Sequence, residues 1–173
     1  MLEIYKHQKH SKCPRCLTDN ETTSHVLRCP EASAQTTWQT EMDNLHTWII
    51  EKKGSEEMAQ AIIEYLNSWH HDSAISDIQV YSSRLQDALQ QQNQIGWQSF
   101  LEGYWSIKWR EYQTHHLVSI QSQRSSVLWI SQLQRRIWKV AWTLWEHRNT
   151  ILHSEGKTIH QYEADLINQR DIT

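Results

Sequence analysis

Apolar residues recur every three or four positions over most of this chain, and polar breaks divide the pattern into successive helices. In residues 31–53, Trp38, Met42, Leu45, Trp48 and Ile49 keep this spacing. They predict a helix capped by Gly54. Ser55, followed by Glu56 and Glu57, opens a second helix carrying Met58, Ile62, Tyr65, Leu66 and Trp69. Beyond the polar break at His70-His71-Asp72-Ser73, residues 76–93 read as a helix with a solvated exit at Gln90-Gln91-Gln92-Asn93-Gln94. From Gly96 onward, Trp97, Leu101, Tyr104, Trp105, Lys108 and Tyr112 fall on one helical stripe.

The clearest pattern runs from Ser125 to His153, where Ile130, Leu133, Ile137, Val140, Leu144 and Ile151 hold the helical period for about seven turns. Trp129, Trp138, Trp142 and Trp145 widen the apolar arc of this segment, as in a helix sandwiched between others. A short helix over 158–169 completes the series. The expected fold is therefore mainly α, a Trp-rich bundle of five or six helices over 31–173 with 125–153 at its centre.

Composition adjusts this picture modestly. Hydrophobic residues make up 38% of the 173, a low share that ten tryptophans partly offset by their size. Four glycines and two prolines leave few sharp turns written into the chain. Net charge is −3, which indicates no general attraction to nucleic acid or to an acidic membrane. Its distribution is uneven. Residues 1–30 carry five basic residues against three acids, residues 41–94 carry nine acids against three bases, and residues 123–153 carry five bases against Glu146 alone. Two basic segments thus flank an acidic middle.

No stretch approaches the roughly 20 apolar residues of a membrane-spanning helix, and the N-terminus has no apolar signal core. Three cysteines, an odd number, argue against a disulfide framework. An intracellular setting, nuclear or cytoplasmic, is expected.

Chemistry concentrates near the N-terminus. Cys13-Pro14-Arg15-Cys16 sets two thiols on one tight turn, and His25 and Cys29 follow at i,i+4 spacing on a short helix that Thr23 or Ser24 can cap. Three thiolates and one imidazole make a closed tetrahedral set, which predicts one structural Zn²⁺ per chain in a module over residues 1–30. A retroviral nucleocapsid knuckle has a shorter central loop, and a C₂H₂ finger ends in two histidines.

The segment resembles the zinc-binding region near the C-terminus of non-LTR retrotransposon reverse transcriptases. The resemblance rests on Cys13-Pro14-Arg15-Cys16, Glu21-Thr22, His25-Val26-Leu27 and Cys29-Pro30. Downstream, Trp142-Thr143-Leu144-Trp145-Glu146-His147-Arg148-Asn149 is similar to the Trp-x-x-Trp-x-x-Arg-Asn stretch of such polyproteins, algal ones included. One departure is the three-residue gap between His25 and Cys29, where many relatives have four. It rotates the last ligand by about 100° around a helix.

The resemblance implies a C-terminal tail and not a polymerase. Two-metal nucleotidyl transfer needs clustered carboxylates, the Tyr-x-Asp-Asp motif is absent, and no Asp-Asp pair occurs. No enzyme activity is expected. His70-His71 and His115-His116 have no nucleophile motif or phosphate loop beside them and read as surface residues. Arg148 reads as pairing an acid elsewhere in the chain.

The leading expectation is a non-catalytic nucleic-acid-binding domain, with RNA as partner. Lys9, Lys12, Arg15 and Arg28 would contact phosphate. Arg135, Arg136 and Lys139, interleaved with Trp129 and Trp138, would extend the surface. The alternative is a zinc-stapled structural or protein-interaction domain, whose partner is another protein or the other domains of a parent polyprotein.

Overall fold

The computed structural model describes residues 11–75 and 77–153. Among them the chain is helical, with seven α-helices and no strand: α1 (Thr23–Arg28), α2 (Ala32–Glu51), α3 (Glu56–His71), α4 (Ser83–Ile95), α5 (Trp97–Glu102), α6 (Lys108–Ser119) and α7 (Ser126–His153). The helix expected over 158–169 lies outside the described residues. None of these helices is long and apolar enough to cross a membrane.

The chain divides into two compact units, one drawing its described residues from 11–37 and 143–153 and the other from 38–142. This grouping differs from a cut at residue 30, because it places the last turns of α7 with the cysteine-bearing segment.

In the larger unit the periodic apolar residues are the core. Trp38, Met42, Leu45 and Ile49 of α2, Met58, Ile62, Tyr65 and Leu66 of α3, and Trp129, Leu133, Ile137 and Val140 of α7 are all buried. Aromatic rings meet at tilted and edge-on angles, as for Trp97 with Phe100 and with Trp109. Ser55 caps α3, its hydroxyl accepting the Met58 amide at 3.1 Å.

Several local features differ from the sequence expectations. The segment 76–93 is not one helix: a 3₁₀ turn at Ile78–Val80 precedes α4, which begins only at Ser83. The stripe beyond Gly96 is cut by Gly103, at φ 99°, whose amide and that of Tyr104 close α5 onto Phe100 and Ser99 carbonyls. Tyr104 consequently points to solvent, 66% exposed.

Gln92, expected in a solvated exit, is fully buried and uses its whole amide. Its Nε2 donates to the Gly96 and Tyr104 carbonyls, and its Oε1 accepts from the Ser106 amide and the Trp109 indole, each at 3.1 Å. Such complete satisfaction is what makes a buried polar side chain tolerable. His70, expected at the surface, is buried and stacked on Trp38 with ring centroids 4.1 Å apart.

The end of α2 shows how space and backbone angle are shared by two neighbouring residues. The left-handed position is Lys53, at φ 69°, and not Gly54. Gly54 is required for room: a β-carbon there would stand 2.4 Å from Ile49 Cγ2 and 2.9 Å from the Trp129 ring. The Gly54 amide donates to Ile49 O at 2.8 Å, closing the helix. Gly54→Ala should therefore destabilise by about 2 kcal/mol through overpacking. Lys53→Gly should stabilise by about 1 kcal/mol by relieving the left-handed strain. Urea unfolding midpoints moving in opposite directions would bear this out; equal shifts would contradict it.

Candidate metal centre

The smaller unit is built around the four sulfur and nitrogen donors. Lys12 pairs with Asn20 in an isolated antiparallel bridge, and inside this loop the Cys13 amide donates to Asp19 O and the Leu17 amide to Cys13 O, both at 2.9 Å. Leu17 sits at φ 61°, which turns the chain tightly after Cys16. Thr22, rather than Thr23 or Ser24, caps α1, its hydroxyl accepting the His25 amide at 3.0 Å. His25 thus lies in the first turn of α1. Cys29 is its C-terminal cap with an extended backbone, φ −57° and ψ 128°.

These elements bring the Cys13, Cys16 and Cys29 sulfurs and one His25 nitrogen within 4.8 Å of one another. Cys13 Sγ and Cys29 Sγ are 3.8 Å apart, and Cys16 Sγ and His25 Nε2 are 3.4 Å apart. A disulfide would need about 2.05 Å. Tetrahedral coordination with bonds of about 2.3 Å to sulfur and 2.0–2.1 Å to nitrogen sets edges of about 3.8 and 3.5 Å. These two separations match such edges, and the cluster can hold a metal ion.

Burial and neighbouring charges set the protonation of these donors. Burial, and after it the charge of Arg15, holds His25 below the usual imidazole range against the opposing pull of Asp19 and Glu21. A neutral ring leaves a lone pair for a metal. Burial pushes the Cys29 thiol up to about 12, and the nearby Cys13 adds to the rise. Such a thiol gives up its proton when a cation takes its place. Burial also raises Cys16, but hydrogen bonds from the Thr18 hydroxyl and the Asp19 and Thr18 amides outweigh it, and the net shift is downward.

The last turns of α7 close onto this segment. Arg148, 2% exposed, meets Glu21 side-on, Nε to Oε2 and Nη2 to Oε1, both at 2.9 Å. Its Nη1 donates to Asn149 Oδ1 at 2.9 Å, and the guanidinium lies 5.3 Å from the Trp145 ring centroid. The expected acid for Arg148 is thus found, in the loop between Cys16 and His25. In the sequence Glu21 stood out only within the Glu21-Thr22 stretch of the resemblance, with nothing to mark it as the partner of Arg148. His147 faces the same surroundings. Burial, with help from Arg15, lowers its basicity, and Glu31 partly opposes this.

The basic residues expected to contact phosphate divide sharply. Arg15 is buried, and its Nη2 donates to the Val26 carbonyl. Arg136 donates to Glu41 Oε2 at 3.0 Å, with both side chains about one-tenth exposed. Neither presents a free charge to solvent, so neither is placed as the phosphate contact expected of it. Lys12 is half-buried and donates to Thr18 O at 2.6 Å. Arg28 is half-buried on α1, Arg135 and Lys139 are exposed on α7, and Lys9 lies outside the described residues. Trp129, expected near this patch, is buried and donates its indole N–H to Lys52 O at 2.7 Å. Trp138 and Trp142 are open to solvent, 62% and 59% exposed.

No family model, curated protein or solved structure matches this chain.

The Glu21–Arg148 pair yields a direct prediction. Arg148→Met or Glu21→Leu alone leaves one buried charge without its partner and should cost about 3 kcal/mol or more. The double variant removes both charges and should recover most of that loss. Urea unfolding followed by tryptophan fluorescence measures the cycle; additive losses would contradict the coupling.

Proposed function

We propose that the cluster binds one structural Zn²⁺ per chain and that the protein is a non-catalytic, zinc-stapled RNA-binding domain acting inside the cell. Four protein donors leave no position for water or substrate, which favours a structural role over a catalytic one. The fit of the Sγ–Sγ and Sγ–Nε2 separations to a tetrahedral shell carries the metal reading. Native mass spectrometry should find one zinc per chain, and Cys16→Ser should lose it. A folded wild-type protein without metal would overturn this assignment.

The nucleic-acid reading rests on α7. Trp138 and Trp142 lie at i,i+4, share a helix face, and are both more than half exposed, with Arg135 and Lys139 on the same stretch. Large aromatic faces open to water beside cations suit bases stacked from a single strand, with roughly 1–3 kcal/mol per base. The resemblance to the tail of non-LTR reverse transcriptases supports RNA as the strand, and a polyprotein origin. Because Arg15, Arg136 and Arg148 are occupied within the fold, few phosphates are contacted and the salt dependence is shallow.

A second reading, a protein-interaction face, draws on Val127 and Leu128, which expose further apolar surface on α7. Fluorescence titration with single-stranded RNA separates the two. Quenching of tryptophan emission and a 10-fold or greater loss of affinity in Trp138→Ala/Trp142→Ala are expected, with zinc content unchanged. Absence of binding at low ionic strength would remove the RNA reading.

A further inference from the structure

Arg15 is the least explained group in the smaller unit. It is 7% exposed, and one of its three guanidinium nitrogens has a partner, Nη2 on the Val26 carbonyl. Its Nε and Nη1 are buried without a hydrogen-bond acceptor, as is His147 Nδ1. A buried guanidinium is always charged and costs several kcal/mol to desolvate unless an anion compensates it. No carboxylate forms a salt bridge with it among the described residues.

The missing anion is supplied by the chemistry of the donor set. Three thiolates and a neutral imidazole around a divalent zinc carry a formal charge of −1. Arg15 lies between two of the ligands in sequence, and its field reaches both Cys29 and His25. We infer that Arg15 is the buried counter-charge of the loaded metal centre, so that cluster and guanidinium together are neutral and each is costly without the other. The inference rests on the zinc reading above and assigns to Arg15 a positioning role in metal retention.

One consequence is specific to this role. With metal bound, the Arg15 charge offsets the net negative charge of the loaded shell. Without metal, the buried guanidinium has no carboxylate partner among the described residues. Replacing Arg15 by an apolar side chain of similar length should therefore weaken the loaded state and strengthen the metal-free one. A residue that only fills space would shift both in the same direction.

The test compares wild type, Arg15→Met and Arg15→Lys with zinc alone, by competition against a chromophoric chelator and by thermal unfolding with and without metal. Arg15→Met should bind zinc at least 10-fold more weakly, and its metal-free form should melt higher than metal-free wild type. Arg15→Lys, which keeps the charge, should recover part of the affinity. Unchanged affinity in Arg15→Met, or a metal-free form that melts lower than wild type, would overturn the inference. Failure of wild type to bind zinc would instead strike the zinc reading itself.

Discussion

The gathering of three thiols and an imidazole within 4.8 Å is the constraint on which the smaller unit depends. Its helix α1 has six residues and buries only Val26 and Leu27, far too little apolar surface to order a loop and a helix by itself. Around the donors, the buried apolar company is slight: Ala34 packs against Cys13 and Cys29. Order here comes from a small number of directed interactions. They are the turn hydrogen bonds at Cys13 and Leu17, the Thr22 cap and the Glu21–Arg148 ion pair, beside a donor cluster that can hold a metal ion. The larger unit is held differently, by continuous burial of aliphatic and indole side chains along α2, α3 and α7.

Much of this could be read from residue types and spacing. Long helices announced themselves where apolar residues kept the 3.6 period, as in α2, α3 and α7. The clustering of Cys13, Cys16, His25 and Cys29 was legible because Cys and His at such spacing have few other uses. What escaped the reading were departures decided by single atoms. Gly103 ended α5 inside an unbroken stripe, since periodicity does not register a left-handed turn. Gln92 looked solvated among its neighbours, yet its amide fits four backbone and indole partners. Lys53, not Gly54, took the left-handed turn, because Gly54 is demanded by the Ile49 side chain and the Trp129 ring.

Charge was the least legible quantity. Counting arginines marked residues 123–153 as basic, but Arg136 and Arg148 are paired with Glu41 and Glu21 from distant parts of the sequence. Arg15, in the turn between Cys13 and Cys16, is buried. A long-range ion pair leaves no local trace, so a basic count overstates the charge that a partner meets. Trp138 is exposed as its place beside Arg135 and Lys139 suggested, but the exposed Trp142 and the buried Trp129 escaped the reading for the converse reason: on a helix that is apolar over a wide arc, sequence does not say which tryptophans are covered. The same geometry turns the Arg15 side chain inwards.

The central claim is that a metal ion orders the smaller unit while the larger one stands on its own core. Native-state hydrogen exchange, recorded before and after zinc is removed by a chelator, tests this most directly. The account predicts that amides of residues 13–29 and 143–153 lose most of their protection, while those of α3, α4 and α6 keep theirs. Unchanged protection across residues 13–29 after complete zinc removal, or no zinc to remove from the folded protein, would contradict it.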